Sequence, residues 1–495
     1  MKFDRSSGIL LHPTSLPGNY GIGSLGKEAF SFVDFLARAK QSYWQILPLG
    51  PTGYGDSPYQ CFSSIAGNPL LIDLDLLKKE GWLSTKELAT KEKFPEIEVN
   101  YPKVIAFKGE KLKQAFTKFL RQNNVDAQMK FFNFCQQNAS WLDDYALFMA
   151  IKDHNNLRPW SEWSDDLRLR NHEALENIRI QLHDEIQYTK FTQYLFFDQW
   201  LTLRYYANSK GVKIIGDIPI YISSDSVEAW SQPEIFDFDE NRSMINVSGV
   251  PPDYFSATGQ LWGNPIYNWN KLKETDFKWW KDRLRANLNL YDVVRIDHFR
   301  GFSEFWAVPA GEETAINGRW LPCPGPELFD SLEKEFGNLP VIAEDLGIIT
   351  DDVVALRERY NFPGMKILQF AFDSDEANDY LPHTYDKGFA VYSGTHDNNT
   401  VNGWYTTSTP ANRKALKEYI GYKPLNVAWE FIKLAHSSVA DLSVITLQDI
   451  LSLGESARMN LPGTTEGNWK WRYKKPVLTR THEKQLAGIT KIYGR

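Results

Sequence analysis

Val293-Val294-Arg295-Ile296-Asp297-His298-Phe299-Arg300-Gly301-Phe302 sets a run of branched apolar residues against a carboxylate. A short, continuous apolar run of this kind fits a strand covered on both faces, as in a parallel sheet. The run stops where a charge begins, and an ionised carboxylate out of water is costly unless it is paired or used. Arg295 lies two residues before Asp297 and shares its face of the strand. It can therefore balance the negative charge that a nucleophile requires. A structural ion pair capping a strand fits the same residues. His298 by itself reads as a packed or hydrogen-bonded histidine as readily as a ligand.

Two further stretches repeat the pattern. Val341-Ile342-Ala343-Glu344 ends in a second carboxylate, and Ala390-Val391-Tyr392-Ser393-Gly394-Thr395-His396-Asp397 ends in a third. Carboxylates at the same ends of parallel strands converge on one pocket, the geometry of a barrel enzyme's active face. Paired carboxylates are the equipment for cleaving glycosidic bonds. Glu344, at the end of an apolar strand, suits the proton donor, because partial desolvation keeps a carboxyl protonated. A hydrogen-bond acceptor behind the site is the competing reading. Asp345 points the other way and reads as a helix or loop cap. Asp397 and His396 can grip vicinal hydroxyls with bonds that tighten in the transition state, although Gly, Asn and Asp also favour a plain polar turn.

Outward from these three, eight strand candidates each carry a polar group at or just past the C-terminal end. They are Ile9–Leu11, Tyr43–Leu47, Val212–Ile215, Val293–Ile296, Pro340–Ala343, Met365–Leu368, Phe389–Tyr392 and Leu442–Leu447. Helical patterns lie between them: an apolar stripe over Ala29–Ala37, a short one over Ser331–Phe336, Asp351–Tyr360 behind a capping Thr350, and Asn426–Ala440. Strand alternating with helix argues for a parallel sheet, and eight units argue for closure into a (β/α)₈ TIM barrel. A ninth run, Leu70–Leu77, alternates with Asp73 and Asp75 and is placed in an insertion.

The spacing is uneven. The longest gap separates the second and third strands, where Lys86–Leu120 and Glu173–Lys210 read as helical. The expectation is one catalytic barrel over 1–495, with a mainly helical subdomain inserted at 68–190 and the barrel's own helix near Gln193–Ser209. A second insertion at 223–275 is rich in Gly, Pro and aromatics and poor in periodicity. Within it, 249–265 reads as a lid presenting Asp253, Tyr254, Phe255, Gln260 and Trp262 to substrate. Tyr59, in the Gly/Pro loop Gly50–Gln60, can stack on a sugar or simply pack. Asp217, in Gly216-Asp217-Ile218-Pro219, can orient Arg295, bind a hydroxyl, or play a purely structural part.

Composition narrows the function. The chain has 495 residues, a net charge of −7 and no basic block, which argues against nucleic acid or an anionic membrane as partner. Three widely spaced cysteines suggest neither a disulfide framework nor a zinc site. No run is long enough for a signal or membrane segment, so a soluble cytoplasmic protein is expected, or a plastid one if a transit peptide has been removed. Of the 17 Trp, 23 Tyr and 30 Phe many suit the core, but several sit beside Gly, Pro and Asn in turn-like segments, where flat apolar faces with polar edges suit sugar rings.

Taken with Gly8-Ile-Leu-Leu-His-Pro-Thr-Ser-Leu-Pro17, the Gly50–Gln60 loop and Gly463-Thr-Thr-Glu-Gly-Asn-Trp469, these motifs resemble the 4-α-glucanotransferases of the α-amylase clan, also called amylomaltases or disproportionating enzymes. The resemblance covers essentially the whole chain. It implies a barrel with inserted subdomains and no C-terminal β-sandwich. It implies Asp297 as nucleophile, Glu344 as general acid/base and Asp397 as transition-state stabiliser. The expected substrate-binding set is Tyr59, Asp217, Asp253, Tyr254, Trp262, Arg295, His298, His396 and Asn398.

The segment Asp217-Ile-Pro-Ile-Tyr-Ile stands where many amylases carry Asn-His, and Asp297 is followed by His-Phe-Arg where the clan often has Lys-His. That favours the transferase branch, and no metal or cofactor is expected. The implied reaction is retaining transfer between α-1,4-glucans, with maltooligosaccharides and glucose as partners. A hydrolase of the same clan is the alternative.

Overall fold

The computed structural model describes residues 3–122, 124–252, 256–475 and 477–495. Eight strands form one parallel sheet: β1 Ser6–Leu10, β2 Tyr43–Gln45, β3 Lys213–Pro219, β4 Val293–Asp297, β5 Val341–Ala343, β6 Gly364–Ile367, β7 Phe389–Tyr392 and β8 Leu442–Thr446. Their order is β6-β7-β8-β1-β2-β3-β4-β5. The two ends of the sheet meet where the Ala343 N–H donates to the Pro363 carbonyl at 2.9 Å, closing the barrel. The strands are apolar because one face meets the barrel interior and the other meets helices; β5 and β8, for example, are buried throughout.

Helices Lys27–Arg38, His183–Ser209, Lys278–Leu290, Gly325–Phe336 and Asp351–Arg359 follow β1, β2, β3, β4 and β5. Val427–Ser437 precedes β8 and Arg480–Ile492 closes the ring. Among the described residues, only short 3₁₀ turns lie between β6 and β7. No described helix is long and apolar enough to cross a membrane.

Several local expectations change. Leu70–Leu77 is a turn followed by the helix Leu74–Lys79, because Asp73 caps the helix by accepting from Leu76 N at 3.0 Å. Thr350 stands at the N-cap of Asp351–Arg359 but makes no side-chain cap; its hydroxyl faces Arg300 Nη1 at 3.3 Å instead. The third strand runs past Ile215 to Pro219, so Asp217 sits within it. An interior strand position tolerates that charge because Arg295 lies opposite in register.

Between β2 and β3 the chain folds into helices that include Tyr101–Arg121, Val125–Gln137 and Ala139–His154. They are tied down by buried cations: Lys108 Nζ donates to the Leu70 and Ile72 carbonyls, and Lys152 pairs with Asp225. The stretch read as irregular after β3 is more ordered than its periodicity suggests. Asn246–Val250 and Gln260–Pro265 join Glu304–Pro309 and Arg319–Pro322 in a four-stranded antiparallel sheet. Gln260–Pro265 is an edge strand of this sheet and Gly249 and Val250 end its inner neighbour, while Asp253, Tyr254 and Phe255 lie outside the described residues.

Candidate active site

Register decides which carboxyls meet. Ile296 on β4 pairs with Ala343 on β5, so the next residues, Asp297 and Glu344, stand side by side at one rim of the barrel. The backbone continues the match. Glu344 N–H donates to the Ile296 carbonyl at 3.0 Å, and Phe299 N–H donates to the Glu344 carbonyl at 3.0 Å. The Glu344 side chain is held by two backbone donors, His298 N–H to Oε2 at 2.7 Å and Leu346 N–H to Oε1 at 3.1 Å. His298 presents its N–H because its backbone is left-handed, at φ 55°. Its ring packs edge-on against Trp262, 4.7 Å between centroids, and burial keeps the imidazole neutral by lowering its pKa to about 4.

Arg295 joins two carboxylates. Its Nη1 donates to both oxygens of Asp217 at 2.9 and 2.7 Å, and its Nη2 reaches Asp297 Oδ1 at 2.8 Å. The Arg295 and Asp217 side chains are 5% and 0% exposed, whereas Asp297 is 31% exposed and opens into the cleft. Burial works against the guanidinium charge, but Asp217 and Asp297 on either side outweigh it and keep Arg295 cationic well beyond its usual range. Asp297 is thereby fixed in direction while one face stays free.

The chain of bonds continues across the mouth. Tyr59 O–H donates to Asp217 Oδ2 at 2.8 Å, and His396 Nδ1 lies 3.4 Å from the same hydroxyl oxygen. Because the tyrosine has already given its only proton to Asp217, His396 Nδ1 is the donor in that contact. His396 Nε2 faces Asp397 Oδ2 at 3.4 Å and donates there as well. The doubly protonated, cationic ring suits both contacts. Burial opposes that charge, yet Asp397 wins and raises the imidazole pKa. The result is a continuous path, Asp397–His396–Tyr59–Asp217–Arg295–Asp297, across the barrel opening. The neighbouring His12 is the contrary case, since burial and the His396 charge hold it neutral, down to about 3.

The outer carboxyls end up in opposite states. Burial is the largest influence on Glu344; Arg295 opposes it, Asp297 adds to it, and the pKa rises to about 8. Enclosure alone would raise Asp397 too. Instead the His396 charge, hydrogen bonds from His396 and Asn460, and Arg295 together bring it down to about 2.

Asn460 Nδ2 donates to Asp397 Oδ1 at 2.6 Å and Arg458 Nη2 to the Asp397 carbonyl at 2.6 Å. Trp469 lies 5.8 Å from both the Tyr59 and His396 rings, which themselves stack at 4.9 Å. Sequence reasoning does not single out Asn460 and Arg458. They arrive on the loop after β8, which has no periodicity to betray it; the Gly/Pro/Trp density around Trp469 was the available signal. Asn398 turns its Oδ1 inward to accept from Thr395 N–H and Oγ at 2.8 and 2.9 Å, bracing the turn that carries Asp397. Asp345 is no helix cap: its Oδ1 accepts from Met365 N–H on β6 at 2.7 Å. Among the described residues no cluster of His, Cys, Asp or Glu has the makings of a metal site.

A sequence model of the 4-alpha-glucanotransferases matches residues 11–479. The chain belongs to the 4-alpha-glucanotransferase family. A 4-alpha-glucanotransferase from Synechocystis is 51% identical over 495 residues, covering 99% of this chain and 98% of its own. One from Clostridium butyricum is 47% identical, covering 98% of this chain and 100% of its own. Among solved structures, the amylomaltase from Streptococcus agalactiae in complex with acarbose superposes with a TM-score of 0.96 at 42% identity, covering 99% of each chain. The barrel and its rim are therefore those of an enzyme of this family, and its activity is 4-α-glucan transfer.

Proposed function

We propose that the enzyme transfers α-1,4-glucan segments by double displacement, with Asp297 as nucleophile, Glu344 as general acid and base, and Asp397 stabilising the transition state. The observation that carries this reading is the register of β4 and β5, which sets Asp297 beside Glu344. Retention requires carboxyls roughly 5 to 5.5 Å apart, and side chains leaving neighbouring positions of adjacent strands, whose backbones lie about 4.8 Å apart, can meet that requirement.

In the first step Glu344 protonates the glycosidic oxygen while Asp297 attacks the anomeric carbon. The glucan beyond the cleaved bond leaves, and a glycosyl ester forms on Asp297. In the second step Glu344, now ionised, takes the proton of an acceptor's 4-hydroxyl, and that oxygen displaces Asp297. A carboxyl that is protonated at neutral pH serves the first step, and its loss of the proton equips it for the second. Asp397, anionic through His396 and Asn460, can accept hydrogen bonds from sugar hydroxyls that strengthen as the ring flattens. Tyr59, Asp217, Trp262, Arg295, His298, His396 and Asn398 fit substrate contact or the support of groups that make it. The same role is proposed for Asp253 and Tyr254, which lie outside the described residues.

The donors are maltooligosaccharides and longer α-1,4-glucans, and the acceptors are the same molecules or glucose. Transfer in place of hydrolysis requires that the ester be shielded from water until an acceptor arrives. Trp262, packed edge-on against His298, whose N–H holds Glu344, supports a shield on that side of the cleft. The free cysteines Cys61, Cys135 and Cys323 suit a reducing compartment, and the cytoplasm is the proposed location.

Two experiments test the reading. With maltotriose, the expected products are glucose and longer chains at constant total reducing ends; a rising total would mean hydrolysis. E344Q mixed with an α-glucosyl fluoride, whose leaving group needs no acid, is expected to accumulate a glycosyl ester found by mass spectrometry on Asp297. An adduct elsewhere would reassign the nucleophile.

A further inference from the structure

Next to Glu344 lies a second buried carboxylate that the reaction does not use. The Asp345 side chain is 8% exposed and turns away from the cleft, into the seam between β5 and β6. Only three residues of β5 are strand, and the seam is short of strand-to-strand bonds. Ala343 N–H reaches the Pro363 carbonyl; two residues on, the Met365 N–H of β6 finds not a carbonyl of β5 but Oδ1 of Asp345, at 2.7 Å.

The other oxygen faces Arg357 Nε at 3.4 Å, from the helix that follows β5. Arg357 in turn stacks over Phe389 of β7, 4.6 Å from the ring. The cradle is cut to fit: a Cβ on Gly364 would fall 2.4 Å from Asp345 Oδ2 and 2.5 Å from Arg357 Nη1. No side chain fits at Gly364 with the carboxylate in place.

We infer that Asp345 is a positioning residue for glucan transfer: its carboxylate stands in for a strand carbonyl at the barrel seam and sets the field in which Glu344, one residue away, holds its proton. The inference rests on Glu344 being the general acid and base. The charged and titratable groups facing Glu344 are Arg295 and Asp297 from β4, the neutral His298, and Asp345 itself; those facing Asp345 are Arg357 and Lys366. Of these, Asp345 and Asp297 both disfavour the Glu344 anion, and Arg295 favours it. Asp345 is the one group that can be neutralised without touching the reacting centre, because an asparagine keeps the acceptor for Met365 N–H.

The test is the pH profile of kcat/KM for the wild type, Asp345→Asn, Asp345→Ala and E344Q on maltotriose. Asp345→Asn is expected to keep its plateau kcat within about twofold and to move the alkaline limb down by about half to one pH unit, the scale of one nearby like charge. Asp345→Ala is expected to show the same shift and, with the seam bond gone, a lower kcat at unchanged KM. An Asp345→Asn limb that stays at the wild-type position while E344Q is inactive would overturn the inference alone. An E344Q enzyme that kept wild-type activity would overturn it together with the assignment of Glu344.

Discussion

The rims after β5 and β7 each present one carboxyl to the same cleft, Glu344 half-buried and Asp397 with 46% of its side chain exposed. They nevertheless sit at opposite ends of the carboxylate range. Glu344 meets two like charges, Asp297 and Asp345, and one cation shared with others, so burial prevails and the proton stays to about 8. Asp397 meets a cationic imidazole of its own and an amide donor, and it stays ionised down to about 2. Both lose part of their hydration in the cleft; the partners decide the charge. Two residues of similar chemistry can then serve as acid and as anion at one pH.

The sharpest way to break this contrast is to remove its protonated half. E344Q is expected to lower kcat/KM on maltotriose by about 10²–10⁴-fold, the range of general acid–base contributions. Steady-state kinetics checks it, and near-normal activity would place the acid elsewhere. Removing the shared cation comes next. Arg295→Met leaves Asp217 buried without its partner and is expected to cost about 3–5 kcal/mol of stability, read from a denaturant midpoint, besides most of the activity.

The anionic half can be weakened in steps. His396→Gln is expected to raise the Asp397 pKa from about 2 and to lower kcat/KM by roughly 10–100-fold, the worth of a hydrogen bond to a charged group. Asn460→Ala removes a single neutral donor and is expected to have a smaller effect of the same sign, about tenfold. A larger loss from Asn460→Ala than from His396→Gln would mean that the imidazole charge is not what holds Asp397 ionised.

A second contrast, between the barrel and its rim, shows what a sequence reveals. The barrel strands announce themselves because each is buried on both faces and ends in a polar group; all eight candidates lie in the sheet. Asp297 and Glu344 follow from the same signal, since a carboxylate closing an apolar run is conspicuous. The small antiparallel sheet leaves no such mark. Its strands Asn246–Val250 and Gln260–Pro265 are short and broken by Gly and Pro, and Asn246–Val250 also pairs with Glu304–Pro309, far along the chain. The ladder, not the side chains, makes them strands. Asp217 reads as lying past a strand end because a charge inside a strand looks like a stop; only its partner Arg295, in register on β4, shows why the strand continues. Asn460 reaches Asp397 on an irregular loop, so nothing local in the sequence couples the two.

The charge contrast is tested most directly by the alkaline limb of kcat/KM, which reports the free enzyme's acid. Measured for wild-type enzyme on maltotriose from acid to alkaline pH, activity is expected to fall as pH rises through about 8, where Glu344 gives up its proton. A limb that falls near pH 5 instead, the range of an ordinary glutamate, would mean that Glu344 is already ionised in the working enzyme and cannot be the proton donor.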